Sequence, residues 1–162
     1  MKENTLLLAA YMREIRMARG LSLREMADLV GISHTQIDIL ERGYDPRTGR
    51  PANTTLDTLS KIASKTEEPW EHFLSCIAGT ATMTLTRPYH LWTQDEQEDY
   101  EGASEEQKGY LRIKYGKAEV SFPTQVLDKE EAKRILFGDA YPPTSEEWAK
   151  VETFVSFLIR SR

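Results

Sequence analysis

Cysteine is nearly absent from this sequence: Cys76 stands alone among 162 residues, so no internal disulfide and no cysteine-based metal site can form. Nothing therefore demands an oxidising compartment, and a cytoplasmic home is expected. Histidine is scarce as well. His34, His72 and His90 are isolated and lack metal-ligand spacing, so neither a metal nor another cofactor is expected. No apolar run approaches the ~20 residues that cross a bilayer, which argues against a membrane span. Leu6-Leu7-Leu8-Ala9-Ala10 is short and runs into Tyr11-Met12-Arg13-Glu14 with no cleavage-type ending, so it reads as helix rather than leader. Glycine and proline, 9 and 7 residues, are scattered, and with 40% hydrophobic and 29% charged residues the composition is that of a folded soluble chain. A surplus of positive charge is also missing. The net charge of -5 weighs against a nucleic-acid partner, because counterion release rewards basic surfaces. The excess acid lies mostly beyond Ser75, however, and Arg13, Arg16, Arg19, Arg24, Arg42, Arg47 and Arg50 can still form a local basic face.

What is present is a run of capped helices. Leu8, Met12 and Ile15 recur at four and three, which predicts the inward face of a first helix ending near Gly20. Ser22-Leu23-Arg24-Glu25 is a capping box that opens a second helix carrying Met26, Ala27, Leu29 and Val30. Gly31 is the natural residue for a left-handed turn after it. Ser33-His34-Thr35-Gln36 repeats the capping pattern, and Ile37 and Leu40 supply the inner face of a third helix that stops at Gly43. Two short helices joined by a tight glycine turn are the helix-turn-helix, whose second member enters the major groove of DNA.

The ordered run Leu21-Ser22-x-x-Glu25-Met26-Ala27-x-x-Val30-Gly31-Ile32-Ser33-x-x-x-Ile37-x-x-Leu40-Glu41-x-Gly43 resembles the helix-turn-helix of the phage-repressor and Cro type, also found in bacterial regulators of the xenobiotic-response-element-like group. Residues 55–63 resemble the fourth helix of that family, and residues 70–74 its fifth. The resemblance implies a five-helix lambda-repressor-like domain over residues 1–78 that binds double-stranded DNA. It implies base contacts from His34, Thr35, Asp38 and Ile39, early on the recognition helix. Their chemistry fits: His34 can donate to guanine, Thr35 offers hydroxyl or methyl, Ile39 can touch a thymine methyl, and Asp38 can accept from cytosine N4 at a cost in phosphate repulsion. It implies too that Arg16 pairs with Glu41 and is thereby aimed at the DNA backbone. Ser22 and Ser33 are expected to anchor phosphates at helix N-termini, with Arg24 and Arg42 nearby.

Two features depart from the family pattern. Leu23 stands where a glutamine often bonds phosphate, and it cannot make that contact. The loop from Tyr44 to Asn53, with Pro46, Gly49 and Pro51, is longer than usual. Its Arg47 and Arg50 either reach phosphates or a narrow minor groove, or decorate a tolerated insertion.

The second half, residues 79–162, is expected to be a smaller, mostly helical dimerisation or regulatory region, so the fold class is mainly α. Residues 77–92 read as linker or extended chain before Leu91-Trp92. Thr93 with Glu96, and Ser104 with Gln107, are capping patterns for short acidic helices. Residues 111–122 allow two readings. The favoured one is a β-hairpin turning at Gly116-Lys117 and pairing Leu111 with Phe122, Ile113 with Val120 and Lys114 with Glu119; the other runs a helix from Ser104 to Tyr115. Asp128 precedes a helix-forming segment up to Gly138. Ser145-Glu146-Glu147 caps a final helix on which Trp148, Val151, Val155 and Leu158 form an apolar stripe that must be covered. Either its own domain or a twin chain covers it. The tail from Leu136 through this helix also resembles the tails of small bacterial regulators.

The functional expectation is a homodimeric, sequence-specific repressor on a palindromic operator, since two linked recognition helices gain by avidity. The alternative is a protein-binding regulator, such as an antitoxin or antirepressor partner, whose acidic C-terminal half engages another protein. An enzyme is not expected. Ala78-Gly79 resembles the bond that self-cleaving repressors cut, but Ser104 and Ser121 are poorly spaced against any lysine base, and a helical tail replaces the expected strands.

Overall fold

The second and third helices begin where the sequence places a serine cap and stop where it places a glycine able to turn left-handed. A computed structural model describes residues 3–123 together with Glu146 and Ala149. Helix α1 runs over Glu3–Ala18, α2 over Leu23–Val30, α3 over His34–Arg42, α4 over Leu56–Thr66 and α5 over Trp70–Ala78. Ser22 caps α2 with a full capping box, its hydroxyl accepting from the Glu25 amide and the Glu25 carboxylate accepting from the Ser22 amide at 2.7 Å. Ser33 caps α3 by accepting from the Gln36 amide, and Thr55 caps α4 through the Thr58 amide. Gly31 and Gly43 leave α2 and α3 at φ of 81° and 78°, a region open to glycine because it has no Cβ.

Beyond α5 come strand β1 (Thr82–Leu85), a 3-10 turn at Tyr89–Leu91, helices α6 (Gln94–Glu101) and α7 (Glu105–Tyr115), and strand β2 (Ala118–Ser121). The strands pair antiparallel with Thr82 opposite Ser121 and Leu85 opposite Ala118. The expected capping boxes at Thr93 and Ser104 both form. The segment read as linker or extended chain thus contains a short strand.

The favoured hairpin over residues 111–122 is replaced by the other reading. Leu111, Ile113 and Lys114 lie in α7, which the Ser104 box starts and which ends where the Gly116 amide donates to the Arg112 carbonyl at 2.9 Å. Val120 and Glu119 pair with Met83 and Thr84 of β1 instead. The period-two burial of Leu111 and Ile113 mimics a strand because α7 has neighbours on several sides: residues two apart on a helix point roughly 200° away from each other, and α7 packs on α1, α3, α6 and β2.

Helix α1 is the centre of the core. Leu7, Leu8, Ala9, Ala10, Tyr11 and Met12 are all buried in succession, followed by Ile15. On one side α1 meets α3 and α5, and it also meets β2, β1 and α7. Ala81, Ile113 and Val120 therefore share one apolar cluster with Met26, Ile37, Leu59, Ile62 and Phe73. Helix α5 ends at Ala78, and chain from beyond it covers α1. Glu14 ties the second half down by accepting from the Val120 amide at 2.9 Å. Phe122, just past β2, stacks on the His72 ring at 3.8 Å between centroids. Leu29 of α2 is 40% exposed; Met26, Ala27 and Val30 suffice to cover the inner face of so short a helix. The segment after Asp128 and the stripe of Trp148, Val151, Val155 and Leu158 lie outside the described residues.

Candidate nucleic-acid interface

Helices α2 and α3 are held as a unit from within. Met26, Ala27 and Val30 of α2 and Ile37 and Leu40 of α3 are buried, and the small Ala27 side chain lets the two helices approach. At the turn, the Gly31 and Ile32 amides both donate to the Ala27 carbonyl, at 2.8 and 3.2 Å. That closes α2 and delivers the chain to the Ser33 cap.

With Ile37 and Leu40 facing inward, the opening turn of α3 faces outward. His34, Thr35 and Gln36 are exposed, and Asp38 and Ile39 are partly so. The hydroxyls of Ser22 and Ser33 lie on exposed residues at the starts of α2 and α3. Arg24, in the first turn of α2, is exposed as well. A ridge of donors and acceptors beside two helix N-termini suits a phosphate-lined groove.

The ion pair implied by the resemblance is formed. Arg16 Nε and Nη2 donate to Glu41 Oε1 and Oε2 at 2.6 and 3.0 Å, and Arg16 Nη1 donates to the Leu21 carbonyl at 2.9 Å. This clamps α1 to α3 and to the entry of α2.

Arg42 sits differently from an open anchor. Its Nε donates to Asp38 Oδ2 at 2.8 Å, and its guanidinium lies 5.0 Å above the Tyr110 ring of α7. Asp38 is consequently already an acceptor before any base approaches. Arg19, part of the basic face suggested by sequence, is likewise engaged by Glu68 at 3.1 Å and by the Thr66 carbonyl.

The loop after α3 is ordered as a narrow hairpin. The Asp45 amide donates to the Arg50 carbonyl at 2.8 Å, the Ala52 amide to the Gly43 carbonyl at 2.9 Å, and Tyr44 bridges Pro51. Asp45 also accepts from the Arg47 amide at 2.9 Å. Those hydrogen bonds hold the Asp45 carboxyl below its ordinary pKa. Arg47 reaches Asp45 only at 3.4 Å and is 77% exposed, and Arg50 is exposed.

In the sequence, Gln36 occupies the reciprocal position of a capping box, which hides it as a base reader. The Ser33 hydroxyl does accept from the Gln36 amide, but the Gln36 side chain makes no return bond and stays exposed. A free glutamine in the first turn can bond adenine with both ends of its amide. Its place one residue after Thr35 was the available signal.

No group of His, Cys, Asp and Glu side chains able to hold a metal occurs among the described residues. Burial raises the Cys76 thiol to about 12, which leaves it inert as a nucleophile at neutral pH. No helix among the described residues is long and apolar enough to cross a membrane.

Residues 7–62 match the family model of a helix-turn-helix domain. The match supports DNA binding and transcription regulation for this part of the chain. No curated protein and no solved structure matches the chain.

Proposed function

We propose that this protein is a sequence-specific, DNA-binding transcription regulator of the phage-repressor and Cro type, acting as a repressor from a palindromic operator. One observation carries the reading: the opening turn of α3 presents His34, Thr35 and Gln36 outward while Ile37 and Leu40 anchor the same helix in the core. In this reading His34, Thr35, Gln36 and Ile39 meet base edges and Asp38 sets specificity from its bond to Arg42. Ser22, Arg24, Ser33, Arg47 and Arg50 hold phosphates. Arg16 keeps α3 at the angle this requires. Arg42 contributes to the backbone only by leaving Asp38.

Two-fold symmetry doubles the sequence read, so the chain acts as a homodimer, with the stripe of Trp148, Val151, Val155 and Leu158 as the contact. Selection of bound duplexes from a random pool with the full chain tests both claims. The expected result is an inverted repeat whose half-sites lie about 10 base pairs apart. A pool that stays random after repeated rounds removes specific operator binding from the account. Sedimentation of a chain ending at Tyr141 tests the stripe: the expected result is monomer, and an unchanged dimer refutes it.

A second reading, a partner protein on the acidic half, is favoured by α6, where Asp95, Glu98 and Asp99 are exposed and no residue is buried. It is compatible with DNA binding. Co-purification of a basic protein with the full chain, lost on Asp95→Asn with Glu98→Gln, supports it; retention in that variant rules it out.

A further inference from the structure

A half-open cavity of about 430 Å³ lies where α1, α4 and α5 meet, with Leu40 of α3 reaching into its lining. Its wall is mainly hydrocarbon, from Leu8, Leu40, Leu56, Leu59 and Ile77, and no side chain that lines it is ionisable. Cavities that take small molecules have this size and this character, with a few polar groups to fix orientation. An ionised ligand is disfavoured here, because nothing in the wall compensates its charge.

The polar side supplies a group in need of a partner. Thr54 Oγ1 is buried without a hydrogen bond, the sole such side-chain atom among the described residues. Thr54 itself lines the cavity. As a β-branched residue it has three staggered wells about χ1, which exchange hydroxyl and methyl between neighbouring positions. The hydroxyl is closed to the cavity as it stands, so a turn about χ1 is what would bring it to a ligand's polar atom and give it the bond it lacks.

We infer that this cavity is a binding site for a small uncharged molecule, mostly hydrocarbon, that carries one hydroxyl or carbonyl group to pair with Thr54. Such an occupant touches the interface from behind. Leu40 belongs to α3, and Thr54 follows Ala52, whose amide closes the hairpin loop onto the Gly43 carbonyl at 2.9 Å. Occupancy therefore bears on the angle of α3 and on the seat of the loop. That coupling rests on the DNA-binding reading, whereas the site itself does not.

Methyl NMR titration of the full chain with 3-phenyl-1-propanol, and separately with propylbenzene, tests the site without DNA. The expected result is movement of the Leu8, Leu40 and Leu59 methyl signals by both probes, with the alcohol binding about fivefold tighter for its one hydrogen bond. Thr54→Val should abolish that preference and leave propylbenzene binding intact. Ala52→Phe should fill the cavity and prevent both. The inference is overturned if neither probe moves those signals, if the alcohol has no advantage, or if Thr54→Val keeps it. Should Ala52→Phe fail to fold, the Thr54→Val comparison decides alone. Duplex affinity measured with and without saturating alcohol then reads the coupling. A changed affinity supports it and an unchanged affinity refutes it, whereas a chain that binds no duplex refutes the DNA reading and leaves the site standing.

Discussion

Glu41 has one partner among the described residues, Arg16, and the pair is nearly dry, with side chains 3% and 11% exposed. Two ions taken out of water repay their desolvation only while both are present. The pair is thus a device of geometry: it fixes the roll of α3 against α1.

Removal of either partner should accordingly cost far more than an ordinary surface change. Glu41→Ala is expected to destabilise the protein by about 3–5 kcal/mol in urea unfolding, because it strands the Arg16 charge. Arg16→Met with Glu41→Leu should recover most of that loss. A single variant of wild-type stability would show that the pair is better solvated than its burial indicates.

Glu14 is held under strain of a different kind. Burial, with Glu119 and Glu68 adding repulsion, raises its carboxyl above the ordinary value, although the Val120 amide pulls the other way. A carboxyl raised on folding favours the folded state in acid and loses that contribution as pH climbs through its folded pKa. Glu14→Gln keeps an acceptor for Val120 and removes the charge. It should melt higher than wild type at pH 7, with the gap closing at about pH 4. Thermal melts at the two values check this, and a gap that widens in acid would reverse the assignment.

His72 titrates in the opposite sense. Burial lowers it from 6.5, while Glu68 and Glu71 partly oppose the shift, and the neutral ring stacks on Phe122 with Tyr11 Oη 3.1 Å from Nδ1. A base lowered on folding gives stability that is complete above about 6.5 and lost as pH falls through that range. Melting temperatures measured from pH 7 down to 5 should drop less steeply for His72→Phe than for wild type. Parallel slopes would remove His72 from the acid response.

On the DNA face, two classes of variant should separate. His34→Ala, Thr35→Ala and Gln36→Ala are each expected to cost about 1–3 kcal/mol on the selected operator and little on random duplex. Arg24→Ala and Arg50→Ala should weaken both alike and reduce the salt slope by about one. Arg42→Ala should leave that slope nearly unchanged, since Asp38 already holds the guanidinium. Binding isotherms across a salt series distinguish these outcomes.

The first half was legible because its signals are local. Ser22 and Ser33 act on amides three residues away, and Gly31 and Gly43 act on their own φ, so spacing alone locates α2 and α3, whereas α4 was legible only through the family resemblance. Burial beyond one turn was harder to read. Leu8, Met12 and Ile15 mark one stripe of α1, whereas Leu7, Ala9, Ala10 and Tyr11 are buried too, because a second layer arrives from residues 81–122. The same long-range packing hid β2. Its partner β1 lies more than thirty residues back, beyond what a local turn at Gly116 can announce. At the candidate interface, Arg16 with Glu41 was legible through a family pattern. The tie of Arg42 to Tyr110 was not, since it depends on where α7 lands.

Helix α1 serves the chain on both sides of residue 78, and this limits how the protein can be cut and recombined. A chimera that joins residues 1–78 to a foreign effector would bare the flank of α1 that now meets β2 and α7, inviting aggregation rather than delivering a portable reading head. A junction placed after Pro123 keeps that flank clothed, so it is there that grafting should succeed.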